Sequence, residues 1–354
     1  MKKVFLLIIA TLMLTGCEAI FEAATGAKKH ALGNPYEVMV VCDDAVWESE
    51  LGAAIRKALA TEAEGLPQAE NSFTVSRISI DDFTGVKMLF RNILFVKIDE
   101  NYFTSPAFRF TRDVNAESQI IMTIQAPTIE SCEEYVSNKS KTIVNFFNKV
   151  ERERQEEILS SNYNQEANNL VNKMFGCSLK IPLNITGKKV GKDFLWLSDM
   201  NTPNPDIKNF AIYSYPYTGP SDFTMENFIH MRDSMMMENI QGTYEGQYPE
   251  TDKTSVTLNA ISHNDRYVLI ARGLWRMLSV NKTENMGGPF VSYSVVDEVN
   301  QRVIVVETFL FAPNKRKADI LRKLETSLYT LRLPIDKIME ATATADEVVI
   351  EANK

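Results

Sequence analysis

The sequence predicts an α+β protein of two domains, each with a mainly antiparallel sheet packed by helices. Three observations indicate this class. The chain has 354 residues, which is about twice the size of a common single domain. Its 45% apolar composition is ordinary for a globular protein. Helical and strand-like periodicities both occur, and a helix-rich half changes to a strand-rich half near Gly176.

Residues 1–16 are expected to be a signal peptide. Two lysines precede an apolar run from Val4 to Leu14, and this run is shorter than the roughly 20 apolar residues that cross a bilayer. The stretch Leu14–Cys17 (LTGC) resembles the lipobox of bacterial lipoproteins, which implies cleavage before Cys17 and attachment of acyl chains such as palmitate. The alternative is an ordinary secretory peptide with an incidental cysteine.

Residues 17–33 are expected to form a lipidated tether between the membrane and the first domain. Glu18 follows the cysteine, and by resemblance to lipoprotein sorting the absence of Asp at this position implies release to the outer membrane. Three acyl chains hold a protein firmly, whereas a single chain gives only marginal binding. We therefore expect a lipid-anchored protein on the periplasmic face of the outer membrane.

The first predicted domain covers residues 34–176. Tyr36–Cys42 is an apolar run typical of a buried strand, and Asp44 is expected to cap a helix from 45 to about 62. A long helix is expected from Ile129, capped by Thr128, with Gly176 as a helix stop further on. The other strands of this domain are predicted at Phe73–Ile80, Ile93–Ile98 and Ser118–Gln125.

The second predicted domain covers residues 177–335, and residues 336–354 are expected to be a flexible tail. One helix is expected at 223–238. A closing helix has leucines at 3-4-3 spacing, with Asn314 as its cap and Pro334 as its stop. The strands are predicted at Leu179–Leu183, Phe194–Leu197, Phe210–Tyr215, Ser255–Ala260, Tyr267–Met277, Phe290–Val296 and Arg302–Phe311.

Charge and composition argue against two classes of partner. The net charge is −8 and no dense Lys/Arg cluster occurs, so we expect no nucleic-acid binding. Cys42, Cys132 and Cys177 lack metal-ligand spacing, and the three histidines are far apart in sequence, so no metal site is expected. A disulfide between Cys132 and Cys177 is one option; three buried thiols are the other.

Several stretches together resemble an uncharacterised Bacteroidetes lipoprotein family, known as a domain of unknown function. They are the lipobox, NPYEVMVV, RGLWRM, GGPFVSYSVVD and the closing VVETFLFAPNKRKADILRKLETSLYTLRL. The resemblance covers nearly the whole mature chain and implies no catalytic residues. The strand order of the second domain, with its final long helix, is more loosely similar to the PsbP-like sandwich, which is an analogy of fold alone.

Two aromatic stretches are candidate recognition sites. Tyr213, Tyr215 and Tyr217 lie two residues apart where a strand meets a loop, so in an extended chain their rings share one face and would form a stacking platform. The alternative is the core-facing end of a strand. Tyr102 and Arg109 belong to the second stretch, which is either a recognition loop between strands or a loop packed over the core.

We expect from these observations a non-enzymatic cell-envelope lipoprotein that acts as a binding or assembly module without a cofactor. Its partners are expected to be the membrane, through Cys17, and an envelope protein, peptide or glycan. No Gly-x-Ser-x-Gly, phosphate-binding loop or HExxH motif occurs, so no catalytic residue is assigned. The alternative is an unrecognised hydrolase with a carboxylate site between the two domains.

Overall fold

The computed structural model describes residues 28–200, 205–242, 244–278, 286–336 and 338–339. Within these ranges the chain forms two sheets with helices packed on them and divides into two compact units. This confirms the α+β class and the presence of two domains. The signal peptide, Cys17 and most of the predicted tail lie outside the described residues, so their predictions stay predictions.

The first unit contains a five-stranded sheet in the order β2-β1-β3-β5-β4. Three of its four strand pairings are parallel and only β4 runs antiparallel to its neighbour β5. The expectation of a mainly antiparallel sheet is therefore wrong here, because the connections between the parallel strands are long enough to return the chain to the same end of the sheet. Its strands are β1 (Glu37–Val41), β2 (Thr74–Ile78), β3 (Asn92–Ile98), β4 (Ala107–Arg112) and β5 (Ile120–Ala126).

Helices cover one face of this sheet. Those of the first half of the chain are α1 (Asp44–Glu48), α2 (Glu50–Leu59) and the 33-residue α3 (Ile129–Ser161). The predicted helix from 45 to 62 is thus interrupted at Ser49, whose backbone is extended. Along α3, apolar side chains from Cys132 to Val150 pack in the core with Val38, Ile120 and Ile124.

The chain enters the first unit earlier than expected. Ala31 donates its N–H to the carbonyl of Glu117 at 3.0 Å, and Leu32 donates to Leu89 at 2.8 Å. Residues 28–33 therefore pair with the domain and do not belong to a free tether, because their backbone groups find partners there.

The boundary between the units falls after Val150, within α3, and residues 62–72 also belong to the second unit. Helix α4 (Gln165–Phe175) ends at Gly176, which has a left-handed φ of 66° as expected of a helix stop. The division nevertheless differs from the predicted boundary at Gly176. The reason is that Val171 and Phe175 of α4 pack into the second core.

The second unit contains a seven-stranded sheet in the order β6-β7-β8-β12-β11-β10-β9, with every pairing antiparallel. One face packs against α4 and α6, and the other against α5. The helices are α5 (Met225–Asn239) and α6 (Ala318–Tyr329). The strands are β6 (Gly187–Gly191), β7 (Phe194–Ser198), β8 (Ile207–Pro216), β9 (Pro249–His263), β10 (Arg266–Met277), β11 (Gly287–Asp297) and β12 (Arg302–Phe311).

The predicted strand at Leu179–Leu183 is wrong. Its apolar residues Leu179 and Ile181 are buried, but its backbone forms no ladder. Leu179 donates its N–H to the side chain of Asn168, and Lys180 donates to the hydroxyl of Thr330. Side-chain acceptors thus replace a neighbouring strand.

Cys42, Cys132 and Cys177 are free and buried. Of the two options left open by the sequence, the structure therefore has three thiols and no Cys132–Cys177 disulfide. Burial raises the pKa of Cys132 to about 12, so this thiol stays protonated and behaves as a small apolar side chain.

The closing helix α6 begins later than predicted and has a different cap. Asn314 has a left-handed φ of 58° and precedes the helix. The carboxylate of Glu70 instead accepts the N–H groups of Lys317 and Ala318 at 2.8–2.9 Å. The first turn of α6 is therefore capped by a residue from segment 62–72, since the first helical N–H groups lack partners within the helix.

Candidate binding groove

An open groove of about 890 Å³ lies on the second unit, beside α5. Its lining comes from residues between 218 and 237, which lead into α5 and form its outer face, and from Tyr248 and Lys253. We call it the α5 groove. A volume of several hundred Å³ is the usual size of a site for a small molecule or a short segment of a polymer.

Helix α5 provides the first wall. Thr224 caps the helix by accepting the N–H of Asn227. The buried side contains Phe228, Ile229, Arg232 and Met236. Residues three and four apart share a face, so the outer face brings together the groove residues Glu226, His230, Asp233, Ser234 and Met237.

The start of β9 provides the second wall through an irregularity in the sheet. The register of β9 against β10 shifts between Arg272 and Leu274, where β9 has additional residues. Asp252 accepts the N–H and hydroxyl of Thr254, and Ser255 accepts the N–H of Leu274 at 2.8 Å. Bulges of this kind redirect side chains, and here Lys253 lies in the bulge and lines the groove.

Gly273 lies opposite the bulge and makes this packing possible. A Cβ atom at this position would lie 3.0 Å from the ring of Phe290 and 3.2 Å from the hydroxyl of Ser255. Both distances are shorter than usual contacts, so a larger residue would displace the hydroxyl that fixes the bulge. The absence of a side chain at Gly273 therefore supports the position of Lys253.

A buried polar network joins the two walls. Asp233 accepts the N–H of Thr251 at 2.9 Å and its hydroxyl at 2.6 Å. The same hydroxyl accepts a hydrogen bond from Arg232 at 2.8 Å. Arg232 also binds Glu307 of β12 through two guanidinium nitrogens. This chain of hydrogen bonds ties α5 to β9 and to the centre of the sheet.

Arg232 and Glu307 are both fully buried, with 0% side-chain exposure. The guanidinium also lies 4.3 Å from the ring centre of Phe290, a cation–π contact. Burial raises the pKa of Glu307, and the charge of Arg232 opposes that effect. Because both charges are sealed in the core and satisfied by each other, the pair fixes the position of α5 and does not face the groove.

Several polar side chains of the α5 groove remain available to a ligand. Glu226, His230, Ser234 and Lys253 line it, and their side chains make no hydrogen bond or ion pair with the described parts of the chain. Tyr248 adds an aromatic ring, and burial raises the pKa of its hydroxyl. The groove thus offers charged, hydroxyl and aromatic groups around an open space.

The predicted tyrosine platform is wrong for two of its three members. Tyr213 is 1% exposed and stacks on Phe194 at 6.0 Å, and Tyr215 is 8% exposed. Both point into the α5 side of the core, because β8 is an interior strand of the sheet. Burial raises the pKa of Tyr215 to about 12. Tyr217 is half-buried against Phe223 and adjoins groove residue Thr218.

Tyr102 and Arg109 lie in the first unit and are exposed. Tyr102 lies in a turn and is 81% exposed, in keeping with a residue available for recognition. Arg109 lies in β4, so the expectation that residues 102–112 are a loop is wrong for their second half. The strand alternates aromatic and basic residues at the sheet edge, where Phe108 and Phe110 pack on Tyr135 and Phe146 of α3.

The groove residues Glu226, His230, Asp233 and Lys253 were not among the predicted site residues. The first three share one face of a predicted helix, which is a detectable signal, but a charged outer face is usual for surface helices. Lys253 reaches the groove only through the bulge of β9, which no local pattern predicts.

In the described ranges, no group of three or more His, Cys, Asp or Glu side chains is placed to hold a metal ion. Among the same residues no helix is both long and apolar enough to span a bilayer.

The fold and the groove define a two-domain α+β protein with an open polar site on its second domain. Residues 31–160 match the family described as Domain of unknown function (DUF8532), and residues 164–330 match Domain of unknown function (DUF4837). The two matches fit an uncharacterised family. No curated protein matches the chain.

Proposed function

We propose that this protein is a non-enzymatic lipoprotein of the cell envelope, anchored through Cys17, that binds its ligand in the α5 groove. The observation that carries the binding role is the groove itself: an open space of about 890 Å³ whose polar lining includes four side chains without partners in the described chain. Polar groups that converge on a cavity of this size are typical of ligand sites.

The walls of the groove favour binding over a purely structural role. The network from Asp233 through Thr251 to the Arg232–Glu307 pair holds α5 and β9 together before a ligand arrives. A site that is already ordered loses less entropy on binding than a site that must form. The lipid anchor, the outer-membrane location and the Bacteroidetes family resemblance rest on the sequence and belong to the proposal.

The alternative enzyme class stays a prediction. Burial raises the pKa of the carboxyl groups of Glu156, Glu307 and Asp319, but none of the three lines the α5 groove. A catalytic carboxyl group has to reach the substrate. The groove therefore supports binding better than hydrolysis.

Site-specific photo-crosslinking in the native envelope tests the proposal. A benzophenone amino acid replaces Met237, which lies in the groove and is 55% exposed, or Met200, which is 53% exposed and lies outside it. We expect a crosslinked product from position 237 only, and its loss when Glu226→Ala and Lys253→Ala are added. Equal products from both positions, or a product indifferent to the added substitutions, would contradict a ligand in the groove.

A further inference from the structure

The α5 groove contains both signs of charge, and this bears on the kind of ligand that it accepts. Glu226 and Asp233 are on the wall formed by α5, and Lys253 is on the wall formed by β9. Lys253 forms no ion pair with either carboxylate, since no such pair exists within the described residues. The inference below rests on the proposed function of the groove.

The backbone around Lys253 is fixed by the bulge of β9. Its neighbours Asp252, Thr254 and Ser255 make hydrogen bonds within the bulge and to Leu274. The Lys253 side chain is exposed and makes no hydrogen bond or ion pair with the described residues. Its ammonium group is therefore free to meet an anionic group of a ligand.

The carboxylates differ in how far they are committed to the fold. Asp222 accepts from the N–H and hydroxyl of Thr218 and from the N–H of Gly219, so it serves the turn before α5. Asp233 uses one oxygen, Oδ1, to hold Thr251, and the same oxygen forms an ion pair with Nη1 of Arg232 at 3.7 Å. Glu226 is exposed and makes no contact of this kind with the described residues. Glu226 is thus the acidic group of the groove that is free to receive a cation.

We propose that the α5 groove binds a short peptide as a zwitterion. The terminal carboxylate of the peptide pairs with Lys253, its ammonium group lies by Glu226, and its apolar side chain rests on Met237, Ile229 and Tyr248. Charge-assisted hydrogen bonds are about twice as strong as neutral ones, and leaving either charge without a partner in the groove weakens binding. A neutral glycan would satisfy the hydroxyl groups of the groove but neither charge.

Methyl NMR of the full chain labelled at methionine tests this inference. The Met237 signal is assigned with Met237→Leu, and the probe is the tripeptide alanyl-leucyl-alanine in four forms: free, N-acetylated, C-amidated and blocked at both ends. We expect the free peptide to shift the Met237 signal and the doubly blocked peptide to bind at least tenfold more weakly. Lys253→Gln should weaken the free peptide at least fivefold and leave the C-amidated form unchanged.

Two outcomes overturn the inference. One is equal binding of the free and doubly blocked peptides; the other is no shift with any form. A neutral trisaccharide, chitotriose, is the comparison probe. If it shifts Met237 where the peptides do not, the groove remains a binding site and only the peptide inference fails. If crosslinking at position 237 gives no product either, the proposed function fails with it.

Discussion

The carboxylate of Glu70 accepts the backbone N–H of Lys317, a residue 247 positions later in the chain. The same carboxylate accepts the N–H of Ala318, and Arg322 of α6 donates to the carbonyl of Ser72 in the same segment. Segment 62–72 thus serves as the cap of the closing helix of the second unit.

Glu70→Ala should lower the free energy of unfolding of the second unit by about 1–2 kcal/mol, the usual cost of losing a helix cap. Urea unfolding in a Trp47→Phe background measures it, because Trp196 and Trp275 of the second sheet are then the only tryptophans. Glu62→Ala, at an exposed position of the same segment, is the control. Equal effects of the two substitutions would show that Glu70 does not act as a cap.

Arg232→Met should destabilise the second unit by about 3–5 kcal/mol, because it leaves the carboxylate of Glu307 buried without a partner. The double variant Arg232→Met/Glu307→Met should recover most of this loss, since two apolar side chains replace two buried charges. A double-mutant cycle from urea unfolding in the same background gives the coupling free energy. Additive losses would contradict the ion pair.

Tyr213→Ala should cost about 3–5 kcal/mol of unfolding free energy, the range for truncating a large core aromatic residue. Tyr244→Ala in the same unit, at a position 53% exposed, should change it by no more than about 0.5 kcal/mol. Tyr102→Ala in the first unit should be as mild, since its ring is mostly in solvent. A small effect at Tyr213 would restore the surface platform that the sequence predicted.

The free energy of unfolding of the second unit should decrease as the pH is lowered, because of His263. Burial is the main cause that lowers the pKa of His263, and the charges of Arg152 and Arg332 lower it further. A hydrogen bond between the ring and the carbonyl of Tyr329 at 3.2 Å and the charge of Asp336 act in the opposite direction. As the pH falls, the histidine of the unfolded chain is protonated at about pH 6.5, above the lowered pKa of the folded state. Protonation therefore favours the unfolded chain, and stability is lost between pH about 6.5 and the folded pKa. His263→Gln should flatten this slope. Unfolding midpoints measured at several pH values from about 7.5 to 5 test this expectation.

Cys17→Ser should release the protein from the membrane fraction. Serine has no thiol and cannot form the thioether that is expected at Cys17. The variant therefore lacks the acyl chains that are the proposed anchor. Mass spectrometry of the native N-terminus should find an acylated Cys17 as the first residue. If the mature chain begins elsewhere or carries no acyl groups, the lipid anchor is contradicted and residues 1–16 are an ordinary secretory peptide.

Local periodicity predicted those parts of the fold that depend on neighbouring residues. The helix expected at 223–238, which is α5, and the helix stop at Gly176 followed from spacing and residue type. Phe108 and Phe110 of β4 escaped prediction because an edge strand of mixed aromatic and basic residues has no clear alternation of burial. The likeness of the second domain to a PsbP-like sandwich stays a prediction.

Long-range relationships could not be predicted from local patterns. Asn314 is a good helix cap by residue type, but the fold supplies Glu70 from a distant segment instead. The α5 groove depends on the same kind of information, since Lys253 meets the face of α5 only because a bulge in β9 is fixed by Ser255 and Leu274. The residue types were visible in the sequence, and their convergence was not.

Segment 62–72 is synthesised long before the helix that it caps. Ribosomes add about 5–20 residues per second, so Glu70 leaves the ribosome roughly 12 to 50 s before Lys317, which is 247 residues behind it. Strands β1 to β5 end at Ala126, so they are complete after about the first quarter of that interval, while segment 62–72, between β1 and β2 in the chain, still lacks its helix. The second unit can close only when α6 has been made.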